Sequence, residues 1–230
     1  MMPKITSSVK TSIANEWLQL FPELGKFKPN LLYIRNGPIL HGINIQWLMG
    51  NQLYKPHYEL LIIQDDVTGK NLSTCFVDSF KYNERYLELD ISENSLPAAL
   101  EEFRFSIQQQ CFIPFHIYTA PIEILNLLHS TLKAGRRENR RGIFQTIRFL
   151  AGYIRDTDRQ ASLNYYTFAI EGLTEITQDK FVRNSYEVSH KMPIAAIFEN
   201  YEHEYNTLNY ALDVERVIEK YKLNKLPKAV

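Results

Sequence analysis

The stretch LLYIRNGPILHGINIQW, residues 31–47, decides the reading of the first half of the chain. Leu31 to Arg35 is rich in β-branched, aromatic and aliphatic residues. Asn36-Gly37 is a strong two-residue hairpin signal, and Ile39 to Trp47 reads as the returning strand. Strand periodicity puts Ile39, His41, Ile43, Ile45 and Trp47 on one face and Leu40, Gly42, Asn44 and Gln46 on the other, so one face is the wetter.

Working outward, Tyr58 to Ile63 is a strand rich in β-formers. A polar turn follows at Asp65-Asp66-Val67-Thr68-Gly69-Lys70, then a strand near Ser73 to Val77. Tyr86 to Ile91 alternates, with Leu87, Leu89 and Ile91 inward and Glu88 and Asp90 outward. Upstream, Ile13, Trp17, Leu20 and Phe21 share one side of a short helix over Ser12 to Phe21, with Ser12 as its cap. The first 91 residues read as a mostly antiparallel sheet, and an antiparallel sheet with one solvated face needs a cover on the other, which this helix supplies.

From Ser92 the period changes. Leu96, Leu100, Phe103 and Ile107 mark a helix with Pro97 in its first turn. Cys111 to Tyr118 reads as a buried strand or an extended crossing. Helices follow over Pro121 to Ala134, Glu138 to Asp156, Gln160 to Thr174, Asp179 to Ser189 and Ile197 to Lys222, with Pro193 separating the last two. The fold class is α+β, with an N-terminal antiparallel sheet and its short covering helix followed by a helical C-terminal half. A boundary near Asn94 divides residues 1–93 from 94–230. No Pro/Gly/Ser-rich linker marks it, so one domain or two both fit.

Composition narrows the class of function. The chain has 230 residues with 26 Lys plus Arg against 26 Asp plus Glu, and 45% of it is hydrophobic, which excludes a disordered chain or a polyanion-coating protein. Its apolar runs, such as Leu60 to Ile63 and Ala195 to Phe198, fall well short of a membrane span. The first twenty residues contain no apolar core of an export signal. Two cysteines, Cys75 and Cys111, are read as ordinary thiols of a cytoplasmic protein, and the Asn71-Leu72-Ser73 sequon carries no weight there.

The motifs that announce common chemistries are missing: no GxxxxGK[ST], GxGxxG, GxSxG, HExxH or CxxC occurs. A triad assembled from distant residues stays open, since triads are defined by geometry. Asp65, Asp66, Glu88, Asp90 and the six histidines are its unranked candidates. His41 and His57 are too far apart along paired strands to share a metal. His41 reads as a half-buried histidine with a hydrogen-bond partner, and His57, after Pro56 at a strand start, as a surface residue. Glu199 and His203 stand one turn apart, but the di-iron pattern is Glu-x-x-His, and the match fails by one residue. No metal or cofactor is expected.

One feature stands out in a neutral chain. From Lys133 to Arg159 there are eight basic residues and three acids. On a helical wheel Arg137, Arg141, Arg148 and Arg155 fall within about 40°, opposite Ile143, Ile147, Leu150 and Ile154. This is read as an outward-facing arginine ridge. Guanidinium forks suit carboxylate and phosphate alike. From Glu199 to Glu219 the balance is reversed, with six acids against Arg216, so the ridge could equally pair with that helix. The leading functional expectation is a non-enzymatic accessory or adaptor protein that binds a protein partner through the ridge. Nucleic-acid binding through the same residues is the alternative, and a hydrolase or nuclease with a scattered site is the third reading. The tyrosines of the helical half, including Tyr186, Tyr201, Tyr205 and Tyr210, suit either an interface or half-buried core positions.

Overall fold

A computed structural model describes residues 5–48, 52–65, 72–91, 96, 99–134 and 139–230, with the backbone alone for 73–76. Helix α1, Ser7–Leu20, precedes strands β1 (Gly25–Lys28), β2 (Leu31–Asn36), β3 (Ile39–Trp47), β4 (Leu53–Asp65), β5 (Leu72–Ser79), β6 (Lys81–Tyr82), β7 (Arg85–Tyr86) and β8 (Leu89–Asp90). Helices α2 (Leu100–Gln110), α3 (Pro121–Lys133), α4 (Arg140–Ile154), α5 (Arg159–Ile176), α6 (Lys180–His190), α7 (Ile194–Thr207) and α8 (Tyr210–Lys220) complete the chain with a 3₁₀ turn at Leu223–Lys225. The main sheet runs β1-β2-β3-β4-β5, with β8 paired to β4, while β6 and β7 form a ladder of their own. The fold is α+β, a curled antiparallel sheet with a helix before it and a helical C-terminal half after it. Among the described residues no helix is long and apolar enough to cross a membrane.

Contacts divide the chain into two units that are discontinuous in sequence. One comprises residues 1–60, 77–119 and 222–230, the other 61–76 and 120–221.

In the first unit the decisive hairpin forms with Asn36 paired to Ile39. Its two-residue loop is Gly37-Pro38, one position beyond the Asn36-Gly37 pair. Gly37 has φ 56° at the first central position, where a tight hairpin demands a positive φ. The predicted cap of α1 is corrected. The helix starts at Ser7 because Thr6, not Ser12, accepts from the backbone N–H of Val9, and a side-chain oxygen that reaches an orphan N–H fixes a helix start more firmly than periodicity does. Ile13, Ala14, Trp17 and Leu20 are its buried stripe. The core is aromatic: Trp17 stacks on Phe21 at 5.9 Å and meets the edge of Phe103 at 5.9 Å, and its indole N–H donates to the Tyr54 hydroxyl at 3.2 Å.

The strand expected over Tyr86 to Ile91 is instead two short pieces with different partners, β7 on β6 and β8 on β4. Its alternation holds, since Leu87 and Leu89 are both buried. Periodicity sees which side a residue faces and not which strand its backbone joins. Between Cys111 and Tyr118 the chain forms no strand; it crosses irregularly with Ile113 and Phe115 buried. The tail is stitched beside the end of β2, with Arg35 N–H donating to Pro227 O and Ala229 N–H to Arg35 O, each at 2.9 Å.

In the second unit α4 is the central helix, packing on α3, α5 and α8. Gly152 makes room for this: a Cβ there would lie 2.2 Å from Cζ of Tyr210. The helix expected as one piece over Ile197 to Lys222 is broken into α7 and α8. Asn209 accepts from the Leu212 N–H at 3.1 Å and starts a new helix, so a single capping side chain outweighs a continuous apolar stripe.

Candidate functional site

The arginines of α4 fare differently from one another. Arg137 lies outside the described residues. Arg148, placed by the wheel on an outward ridge, is only 4% exposed. Its Nη1 donates to Glu204 Oε2 on α7 at 2.8 Å, its Nε donates to Gln145 Oε1 at 3.3 Å, and its plane lies 4.1 Å from the centre of the Tyr201 ring. Burial opposes the charge, but Glu204 outweighs it and holds the guanidinium pKa above its ordinary value. Arg155 donates to the carbonyls of Tyr205 and, at 3.2 Å, Leu208. These carbonyls sit at the C-terminal end of α7, where a cation satisfies orphan acceptors and complements the helix dipole.

The outward ridge is therefore corrected for Arg148, which is buried, and for Arg155, which is half-buried on the end of α7. Apolar periodicity locates the face of a helix that seeks other apolar groups; it says nothing about what covers the opposite face. Here α7 covers it, and the acidic run of the sequence supplies the counter-ion. Arg140 pairs loosely with Glu175 at 3.4 Å.

Arg141 is the exception. It is half-buried and its guanidinium carbon lies over the ring of Tyr186 of α6, 3.8 Å from the ring centre. Its polar contacts are long: 3.3 Å to Ser185 Oγ and 3.5 Å to Ser189 Oγ. No carboxylate among the described residues ion-pairs with it. Beneath it, the Gln145 amide donates to the hydroxyls of Tyr186 at 3.2 Å and Tyr201 at 2.8 Å. The Tyr201 hydroxyl in turn meets His190 Nε2 at 3.2 Å. Burial, then Arg141 and Arg148, depress the His190 pKa, against the opposing pull of the Tyr186 carbonyl. The network locks the Tyr186 ring and thereby the platform on which Arg141 rests.

The scattered polar candidates also separate. Asp66 lies outside the described residues. Asp65 is saturated, with Lys220 Nζ 2.8 Å from both oxygens and the Tyr221 hydroxyl at 2.8 Å. Burial opposes its ionisation, yet these partners hold its pKa below the ordinary value. Glu88 pairs with Lys55 at 2.5 Å. Asp90 belongs to β8. Glu199 and His203 are both exposed on α7, and no group of three or more metal-ligating side chains occurs among the described residues.

His41 is corrected from half-buried to fully buried, and neither ring nitrogen has a hydrogen-bond partner among the described residues. It sits 5.8 Å from the ring of Phe115 and 6.3 Å from that of Tyr58. Burial depresses its pKa to about 3. His57 is on the other face. Its Nε2 meets Gln46 Oε1 at 2.9 Å and its Nδ1 meets Ser79 Oγ at 3.1 Å. A carbonyl oxygen can only accept, so the proton sits on Nε2 and the Nδ1 lone pair receives the Ser79 hydroxyl.

One buried pair escaped the sequence reading. Glu59 of β4 accepts from the Tyr33 hydroxyl, and burial raises its pKa despite the hydrogen bonds from Tyr33 and Asn44. It sits within the β-rich run Tyr58 to Ile63, where a single Glu reads as an outward residue.

Comparison of the chain with protein-family models, curated proteins and solved structures found no match.

Proposed function

We propose that the protein is a macromolecule-binding accessory or adaptor subunit whose recognition surface centres on Arg141. The observation that supports this reading is the contrast within α4: Arg148 and Arg155 are consumed by α7, while Arg141 presents a half-exposed guanidinium over the Tyr186 ring, with long contacts to two serine hydroxyls and no carboxylate partner among the described residues. A guanidinium fixed on an aromatic ring and lacking a carboxylate is preorganised for an incoming anionic group. The expected partner is a protein with a matching carboxylate.

Gel filtration of the native protein from its own cells tests this. The expected result is an assembly larger than the monomer that weakens with salt and is lost in Arg141→Glu, whose own thermal stability stays close to that of the unaltered protein. A lone monomer at every salt concentration overturns it. Arg148→Glu is unsuitable for the purpose, because it places two carboxylates together in a buried site. Release of the assembly by nuclease would favour the nucleic-acid alternative.

A second reading, a hydrolase, draws on the Ser79–His57–Gln46 row. A neutral imidazole held by Gln46 and accepting from a serine hydroxyl has the nucleophile, base and orienter order of acyl-transfer sites. Labelling of Ser79 by a fluorophosphonate, lost in His57→Ala, is its test; an unlabelled protein removes it.

A further inference from the structure

The helix that Arg141 touches, α6, carries two large apolar side chains that the helical core does not use. Helix α6 buries Tyr186, yet Phe181 is 83% exposed and Val188 77% exposed. At 100° per residue Phe181, Ser185 and Val188 fall within about 60° of one another. They form one outward face, all three exposed, and the guanidinium of Arg141 reaches this face at Ser185. Isolated apolar residues on a surface need no explanation; two on one helical face, reached at Ser185 by an arginine with no carboxylate partner among the described residues, do.

From this juxtaposition we infer that the α6 face is a docking surface for an acidic amphipathic helix of a partner protein. The inference rests on the binding function proposed above and names the chemistry of the partner. Phe181 and Val188 are seven residues apart, about 10 Å along the axis, which matches the repeat of apolar side chains on a helix packed alongside. A carboxylate one turn in from either apolar residue of the partner would come opposite Arg141. The long contacts to Ser185 and Ser189 are then exchanged for a charge-assisted pair, with Ser185 free to donate to the second carboxylate oxygen. An extended peptide is a poorer fit, because peptides bound as strands take main-chain hydrogen bonds from a sheet edge and a helix interior has none to give. A nucleic acid would use Arg141 and could stack on Phe181, but the aliphatic Val188 offers nothing to a base or a phosphate.

The photo-crosslinking residue p-benzoylphenylalanine placed at position 181 of the full chain in its own cells tests the inference, with the same residue at the exposed Leu163 of α5 as the control. The expected product is one partner protein. Mass spectrometry should locate the link in a segment with apolar residues at i and i+7 and at least one carboxylate between them. Arg141→Glu should lower its yield by about tenfold, the scale of an interface hot spot. Arg141→Lys, which keeps the charge and loses the fork, should lower it less. Cross-linking to a second copy of this chain, to nucleic acid, to a segment without carboxylates, or with equal yield from position 163 overturns the inference. If gel filtration shows a salt-sensitive, Arg141-dependent assembly while position 181 captures nothing, the docking surface is refuted and the broader binding function stands. If no assembly forms, both fall.

Discussion

The two compact units bury polar chemistry in opposite ways. In the sheet unit, burial pushes the pKa values of His41 and Glu59 toward their uncharged forms, and His41 has no hydrogen-bond partner among the described residues. In the helical unit Arg148 is buried as a cation and is held charged by Glu204, Gln145 and the face of Tyr201. The difference follows from what each residue type allows. A histidine or a carboxylic acid can shed its charge in an apolar core, whereas a guanidinium cannot and must bring a partner with it. The fully buried His41 therefore makes the stability of the sheet unit vary with pH.

The largest effects come from breaking each core by its own logic. Trp17→Ala removes the side chain that touches Phe21, Phe103 and Tyr54, and should cost about 3–5 kcal/mol in denaturant unfolding. Arg148→Ala strands Glu204 and the Gln145 carbonyl and should cost about 3 kcal/mol, whereas Arg148→Met combined with Glu204→Leu should recover most of that loss. Recovery in the double variant separates the cost of an unpaired charge from that of lost packing.

Acid titration sharpens the contrast. His41 has a folded pKa of about 3, below the value of about 6.5 in an unfolded chain. The unfolded state thus binds the extra proton first, and stability falls as the pH drops below 6.5, by up to about 1.4 kcal/mol per pH unit. Between pH 6.5 and 4.5 this amounts to roughly 2–3 kcal/mol, and His41→Leu should remove that slope. Unfolding midpoints of both proteins measured across this range check it; parallel pH dependences would mean that His41 becomes protonated within the fold. Glu59 acts in the opposite direction. Its folded pKa is raised by burial, so its cost grows as the pH rises through the ordinary carboxylate range, and the unfolding midpoint of Glu59→Gln should exceed that of the unaltered protein at neutral pH but not at acid pH. The smallest effect is expected at Arg141, where Arg141→Ala gives up a cation–π contact and two long hydrogen bonds, about 1 kcal/mol or less by thermal unfolding.

The sequence made the architecture legible and left the site half hidden. The hairpin at residues 31–47 and the switch of period after Ser92 are written in runs of many residues, so local noise cancels. The start of α1 and the break between α7 and α8 each turn on one side chain, Thr6 and Asn209, whose capping role depends on a single hydrogen bond. The wheel aligned Arg141, Arg148 and Arg155 correctly on one side of α4, but exposure is a tertiary property, and α7 covers the last two. The acidic run from Glu199 was the available signal, and Glu204 within it is the residue that answers Arg148. Nothing in the local pattern marked His41 as unpartnered or joined Ser79 to His57 and Gln46, because those relations cross strands.

Side-chain NMR of the arginine Nε–H groups tests the division of labour within α4 most directly. The protein is titrated with a synthetic helix bearing leucine at i and i+7 and glutamate between them. The Arg141 signal should move and those of Arg148 and Arg155 should stay in place. Movement of all three together, or of none at millimolar peptide, would contradict the assignment of Arg141 as the arginine left for a partner.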